Sequence, residues 1–511
     1  MGSTVARTTV SGTTLPELAG RIRVPAYDRA AMSVGIMHLG VGGFHRSHQA
    51  MYLDRLMASG HGLDWALRGV GVLPHDRRIV DALNGQDGLY TLVVKHSDGR
   101  LEPRLIGSIT GMAFLHDDPP AVVEEMAAEP VRIVSLTITE GGYLIDPVTG
   151  EFDVDHPSIQ PDLQPGAEPI TAFGLITAAL ALRRSRGIAP FTVMSCDNVP
   201  GNGDVARRAV VSFARLLDPA QADWIEQAVA FPNSMVDRIT PVTTDADRDA
   251  LAEQFGVEDA WPVVCEPFTQ WVLEDQFPTG RPAWQEVGVQ LVHDVAPYEL
   301  MKLRMLNAGH QVVCYLGALA GFGYCHEVCQ DPTFRAFLNT FMATEAAPTL
   351  PQVPGVDLDD YRRTLVERFS NPYVRDTLAR LCAETSDRIP KFLLPLVRHN
   401  LAHGGPIEQS ALVIAAWARY AEGVDDAGHP IEVVDPLRDQ LMAAAARQRE
   451  EPTAFLAQRK IFGDLVDDTR FTEAYLCALA SLHAVGALAT VEAWSHRSCP
   501  ATCSVTPVAS P

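Results

Sequence analysis

The sequence predicts an α/β domain built on a parallel sheet over residues 1–296, followed by a mainly α-helical domain over residues 297–511. Three observations predict it. In the first half, strand-like runs alternate with helical patterns, the arrangement that gives parallel strands joined by crossover helices. From about Pro297 the texture changes to Ala, Leu, Arg and Glu in helical periodicity, as in DDYRRTLVERF and EQSALVIAAWARYAEG, with few β-branched runs between. The chain has 511 residues. Single cores stop growing at about 250 to 300 residues, so two large domains is the economical division.

Taken in order, residues 35–39 (GIMHL) read as a buried strand and residues 47–57 as a helix. WALRGVGVL, RIVSLTITE and FTVMSCDNV follow as further strands. Between them LYTLVVKHSDGRLEPRLIGSI carries two strand-like stretches around Asp98-Gly99, a hairpin signal inserted into the parallel pattern. The tail HRSCPATCSVTPVASP lacks periodicity and holds three prolines, which predicts fraying.

Composition excludes several function classes. A formal charge of −22, from 63 acidic and 41 basic side chains, repels phosphate backbones and anionic lipid, so nucleic acid and membrane are not expected partners. No uninterrupted apolar run approaches the roughly 18 residues of a membrane span, and the N-terminus has no apolar signal core. A cytoplasmic protein is the expectation. Nine cysteines, an odd number without framework spacing, suit reduced thiols. CHEVC at Cys325 and Cys329 and CPATC at Cys499 and Cys503 each offer one close pair with no second pair at finger spacing, so they read as thiols and no metal is expected.

Residues 40–44 form a strand-to-helix turn. Gly40 permits the tight turn, Gly42 lets a pyrophosphate approach the backbone, and N–H groups at the helix start attract the anion, so the first domain reads as a Rossmann-type dinucleotide-binding domain. The third glycine of that fingerprint is replaced by His45. This implies a helix standing further off the sheet, or an imidazole used near the cofactor. Two glycines alone would equally suit an ordinary turn.

GVGGFHRSHQAMYLDRL resembles the signature segment of the polyol-specific long-chain dehydrogenases, the mannitol dehydrogenase family. The similarity continues through RIVSLTITEGGY, FTVMSCDNVPGNG, FPNSMVDRITP, WPVVCEPFTQWVLED, MKLRMLNAGH and VERFSNP, most of residues 35–400. The resemblance implies a metal-independent, NAD-dependent polyol dehydrogenase, a monomer interconverting D-mannitol and D-fructose. Fructuronate reductase and D-arabinitol dehydrogenase stand close by in the same family. A non-catalytic NAD sensor is the reading from another class, since fold does not fix function. The resemblance assigns cofactor contacts to Gly40, Gly42, Gly43, Phe44 and His45. Asp76, in PHDRR after the second strand, takes the role of the acid that binds the adenosine ribose and rejects a 2′-phosphate. Arg77 and Arg78 could instead accept such a phosphate, and His75 stands where relatives carry a second acid.

Alcohol oxidation needs a base for the hydroxyl proton and a stabiliser for the developing alkoxide. The sequence offers no convincing zinc constellation, so side chains are expected to supply both. In PYELMKLRMLNAGH, an α-helix at about 100° per residue with Lys302 at zero puts Glu299 near roughly 60°, His310 near roughly 80° and Asn307 near roughly 140°, on one face. The resemblance makes Lys302 the general acid/base, Asn307 a donor to the reacting oxygen, His310 a contact to a substrate hydroxyl, and Glu299 part of a water route for the released proton. A lysine serves as base only where desolvation or a neighbouring cation lowers its pKa from about 10.4.

Asn198 ends the strand FTVMSCDNV at the carboxyl edge of the sheet, where it is either a turn residue or a second donor completing an oxyanion hole with Asn307. Asp197 beside it reads as structural. Asp237, in SMVDRITP, matches the family aspartate that positions the ammonium; a structural ion-paired aspartate is the alternative. Arg380 and Arg388 fall where the family binds the polyol, although position 388 is often lysine there. Arginine's planar fork suits a carboxylate, which keeps a sugar acid open as substrate.

Overall fold

The protein is described by a computed structural model covering residues 6–146 and 149–495. The terminal Cys499 and Cys503 pair lies outside the described residues. One compact unit ends at Ala296 and a second begins at Pro297.

The first unit is organised on five parallel strands: β1 (Val34–Leu39), β2 (Ala66–Gly71), β3 (Ile109–Phe114), β4 (Ile133–Leu136) and β5 (Thr192–Ser195). Their spatial order is β3-β2-β1-β4-β5. This is the doubly wound order, which reverses between β1 and β4; ligands bind outside the carboxyl ends of the strands at such a switch point. Burial on both faces explains the near-continuous apolar runs: every residue of β4 and β5, and all but the first of β1, is buried. The crossovers Pro119–Ala127 and Ala172–Ser185 start where the sequence supplies caps. Asp118 accepts the Ala121 N–H ahead of two prolines, and Thr171 accepts the Gly174 N–H.

The first crossover helix begins earlier than the sequence suggests. It opens at Gly43, breaks at His48 (φ −119°, ψ −90°) and resumes over Gln49–Ala58. Phe44 and His45 therefore occupy the first helical turn, because the polar run HRSH hides a buried helical face: His45, Arg46, Ser47 and His48 are all buried.

The hairpin appears at Tyr90–Lys95 and Leu101–Ile106, antiparallel, turning at Gly99 with φ +88°. It joins Val263–Cys265 in a separate three-stranded sheet. Another small sheet holds Ser234–Asp237, Gln270–Glu274 and Gln290–Val292.

Beyond Val292 the described residues form helices and two isolated bridges but no strand. Glu408–Tyr420 runs through the core of the second unit, buried from Gln409 to Tyr420. No uninterrupted apolar run reaches a membrane span, but one helix passes on average hydropathy. Thr469–Trp494, 26 residues, is long and apolar enough by composition, because Ala, Leu and Val outweigh the interspersed Thr, Ser and His. In this fold the helix packs along Glu408–Tyr420. Its helical backbone breaks at Gly486 (φ +80°, ψ 176°), where the Ala487 N–H donates to Asp426.

Candidate active site

In the first unit the site begins at the carboxyl end of β1. Gly40 has φ +88°, and a Cβ there would run into the Thr137 carbonyl oxygen at the end of β4. At Gly42 a Cβ would meet nothing nearer than the Gly40 carbonyl at 3.8 Å. One glycine is thus required by the fold, while the other leaves an open approach to backbone. N–H groups in the first turn of the helix opening at Gly43 have no intrahelical acceptors, so the cradle fits a pyrophosphate.

His45 turns inward under this cradle. Its ring stacks on His38 of β1, centroids 3.4 Å apart and 14° from coplanar. Burial, with His38 alongside, pushes the His45 imidazole well below its ordinary pKa, and burial takes His38 down to about 3. Both rings are neutral at working pH. His38 shares hydrogen bonds with Ser135 Oγ (2.7 Å) and Thr137 Oγ1 (2.9 Å), joining β1 to β4 beneath the turn. Phe44 stacks on His48, centroids 4.8 Å apart.

Asp76 follows β2, and its Oδ2 accepts the Val72 and Leu73 N–H groups, both at 2.9 Å. Arg77 is paired with Asp117 and lies over the Phe114 ring. Asn198 is exposed, directly after the buried Asp197, at the carboxyl end of β5. Asn202 holds this turn: its Nδ2 donates to the Asp197 carbonyl (2.9 Å) and the Ser234 carbonyl (2.8 Å). Asp237, 4% exposed, ends the strand that Ser234 begins.

The second unit holds the lysine helix, and here the structure changes the geometry. Ala296–Met301 is α-helical, Lys302–Asn307 is a π-helix, and Ala308–Leu319 is α-helical again. The Ala308 N–H reaches back five residues to the Leu303 carbonyl. This i→i+5 winding brings Asn307 toward the face of Lys302, whereas regular α geometry would set them about 140° apart. Lys302 and Asn307 are 8% and 7% exposed, the desolvation that an acid–base role asks of the lysine. Glu299 lies one turn earlier. His310 stacks on Phe369 of VERFSNP, centroids 4.1 Å apart. On the same segment Arg304 donates to the Thr349 carbonyl and anchors it.

Two short helices pack on this one: Thr385–Phe392, carrying Arg388, against the π segment, and Leu378–Leu381, carrying Arg380, against Ala308–Leu319. The second unit therefore gathers Glu299, Lys302, Asn307, His310, Arg380 and Arg388 around one helix. Arg380 Nε donates to Asp376 (2.6 Å), and Arg388 donates to the Arg380 and Leu381 carbonyls. Asn198 and Asp237 are features of the first unit.

Among the described residues no three His, Cys, Asp or Glu side chains converge as a metal site. Cys325 and Cys329 are buried free thiols on one helix, and each other's proximity together with burial holds the Cys325 thiol well above its ordinary pKa.

The model of the mannitol dehydrogenase Rossmann domain matches residues 34–286, and that of the mannitol dehydrogenase C-terminal domain matches residues 294–483. The chain belongs to the mannitol dehydrogenase family. It is 47% identical over 478 residues to mannitol 2-dehydrogenase of Aspergillus fumigatus, covering 92% of this chain and 95% of that one. The Pyrenophora tritici-repentis mannitol 2-dehydrogenase is 48% identical over 480 residues, 93% and 84% of the two chains. Among solved structures, the Pseudomonas fluorescens mannitol 2-dehydrogenase ternary complex with NAD and D-mannitol is similar at TM-score 0.86 and 46% identity, over 95% of this chain and 99% of that. A substrate-free D-sorbitol dehydrogenase gives TM-score 0.89 at 33% identity, over 95% and 100%.

For a mannitol dehydrogenase family member, the residues that sequence reasoning passed over are those that support the site. The π turn has no signature in residue type. Asn202, Tyr143 and Asp197 lie within family segments, but nothing in their spacing shows that they bond one another.

Proposed function

We propose that this chain is an NAD-dependent, metal-independent polyol dehydrogenase that interconverts D-mannitol and D-fructose. One observation carries the reading: a π-helical turn runs from a buried amine, Lys302, to a buried amide, Asn307, in a chain of this family. We further take the acting form to be a cytoplasmic monomer; six of the seven described cysteines are buried free thiols, which suits a reducing compartment.

Gly40, Gly42 and Gly43 would hold the cofactor's pyrophosphate, and Asp76 the adenosine ribose. When bound, the nicotinamide supplies the hydride acceptor. Lys302, uncharged, takes the hydroxyl proton of the carbinol. Asn307 donates a hydrogen bond to that oxygen as negative charge builds, the stabilisation that a preorganised donor gives in a water-poor site, and Asn198 is proposed for the same donor role. His310, its ring held by Phe369, orients a neighbouring hydroxyl. Glu299 serves the lysine by passing its proton outward.

The test is a nicotinamide absorbance assay on mannitol, arabinitol, sorbitol, fructose and fructuronate, with NAD and NADP in turn. The reading requires the highest kcat/KM on mannitol and fructose with the NAD pair. Preference for fructuronate would assign Arg388 to a carboxylate and overturn the substrate, and NAD binding without turnover on any sugar would favour the sensor.

A further inference from the structure

The loop leaving β4 contains the most unusual backbone near the switch point. Thr139 has φ +68° and ψ 165°, a region essentially reserved for glycine and a rare one for a β-branched residue. Leu144, at the far end of the same loop, has φ +53°. A threonine keeps such a conformation only where its surroundings over-determine it.

Those surroundings are one buried carboxylate. Asp197 Oδ1 accepts the Thr139 N–H at 2.8 Å, and Oδ2 accepts the Ile138 N–H at 3.0 Å and the Tyr143 hydroxyl at 2.7 Å. Tyr143 is 1% exposed, and its hydroxyl is also 2.7 Å from Ser195 Oγ in β5. The torsions of Thr139 lie between these two N–H groups and Tyr143, so the carboxylate is bonded on both sides of the twisted residue and holds the twist in place. The same loop is fastened on its other side: Thr137 Oγ1 donates to the Gly40 carbonyl and shares a hydrogen bond with His38. Residues 137–139 thus form a strap with the glycine turn at one end and, at the other, the residue that precedes Asn198.

We propose that Asp197 is a positioning residue, whose carboxylate clamps the strained 137–139 strap and thereby sets both the Gly40–Gly42 cradle and the Asn198 amide. The kinetic consequence rests on the dehydrogenase reading above; the clamp itself does not. A contact serving stability alone would act on the melting temperature and leave kcat and the distant glycine turn untouched.

The experiment compares the full-length protein with Asp197→Asn and with the double variant Asp197→Asn/Thr139→Gly. Hydrogen–deuterium exchange on cofactor-free protein is expected to rise several-fold at residues 40–44 in the single variant and to return toward the starting value in the double variant, because glycine takes the Thr139 conformation unaided. With mannitol and NAD, kcat is expected to fall at least tenfold in the single variant, with KM for mannitol changed less than threefold, and to recover severalfold in the double. Unchanged kcat and unchanged exchange at residues 40–44, with only a lower melting temperature, would overturn the proposal. So would a loss that glycine at 139 does not relieve. If Asp197→Asn fails to fold, Tyr143→Phe, which removes one of the three donors, must lower kcat and raise exchange at residues 40–44 in the same direction; no change in either overturns it. Should the wild-type protein turn over no sugar, the dehydrogenase reading fails while the exchange comparison still decides the clamp.

Discussion

Gly40 and Thr137 approach so closely that no side chain fits between them: the glycine has φ +88°, and its missing Cβ would fall on the Thr137 carbonyl oxygen. β1 and β4 therefore meet at the switch point backbone to backbone. Gly40→Ala is expected to destabilise the fold by about 2 kcal/mol or more, from strain at positive φ plus the clash. Gly42→Ala is expected to melt within about 0.5 kcal/mol of wild type, since its φ is −85° and the nearest atom is 3.8 Å away. It should still weaken NADH binding about tenfold, because the added methyl fills the pyrophosphate approach. Thermal melts and a fluorescence titration with NADH separate the two effects.

Asp76→Ala tests the cofactor preference. The substitution removes two backbone-to-carboxylate hydrogen bonds from the loop after β2, a loss of about 1–2 kcal/mol in stability. On the proposed cofactor reading it also removes the charge that opposes a 2′-phosphate, and the NAD-to-NADP ratio of kcat/KM should move about tenfold toward NADP. An unchanged ratio would leave Asp76 with a role in the loop only.

Asn307→Ala should lower kcat by about 10²–10³ with a small effect on KM, as expected for a donor used mainly when charge develops on the oxygen. Steady-state kinetics on mannitol checks this. A loss confined to KM would place Asn307 in ground-state binding.

Much of this was legible beforehand. The alternation of apolar runs and helical patterns gives the parallel sheet, and the hairpin at Asp98-Gly99 follows from its turn residues. The lysine helix was readable as a helix but not as a π turn, because residue type carries no signal for i→i+5 bonding; the angular estimate for Asn307 changed with it. The early helix start at Gly43 was hidden by HRSH, whose polar side chains are buried. Asp197 reads as structural, since the strained conformation that it holds is a backbone angle at Thr139 and leaves no mark on the sequence. Thr469–Trp494 was passed over because scattered polar residues interrupt a helix whose average is apolar.

Glu345 gives the second unit a pH dependence of its own. Its carboxylate accepts the Gln409 and Ser410 N–H groups at the start of the core helix Glu408–Tyr420, yet burial raises it from about 4.5 to about 7. The folded protein then holds this proton more tightly than the unfolded chain. The contribution is fully present below about pH 4.5 and is lost as pH rises to about 7, amounting to about 3 kcal/mol. Glu345→Gln, which does not titrate, should show a stability deficit against wild type that shrinks across this interval. Urea unfolding at pH 5, 6 and 7.5 measures it.

The most direct test of the mechanism is single-turnover NADH formation by Lys302→Ala, mixed rapidly with NAD and mannitol. A general base contributes about 10²–10⁴ in rate, so the variant should bind NADH within a few-fold of wild type while the burst slows by that factor. A burst at near wild-type rate would contradict the account, because proton removal would then not depend on the buried amine.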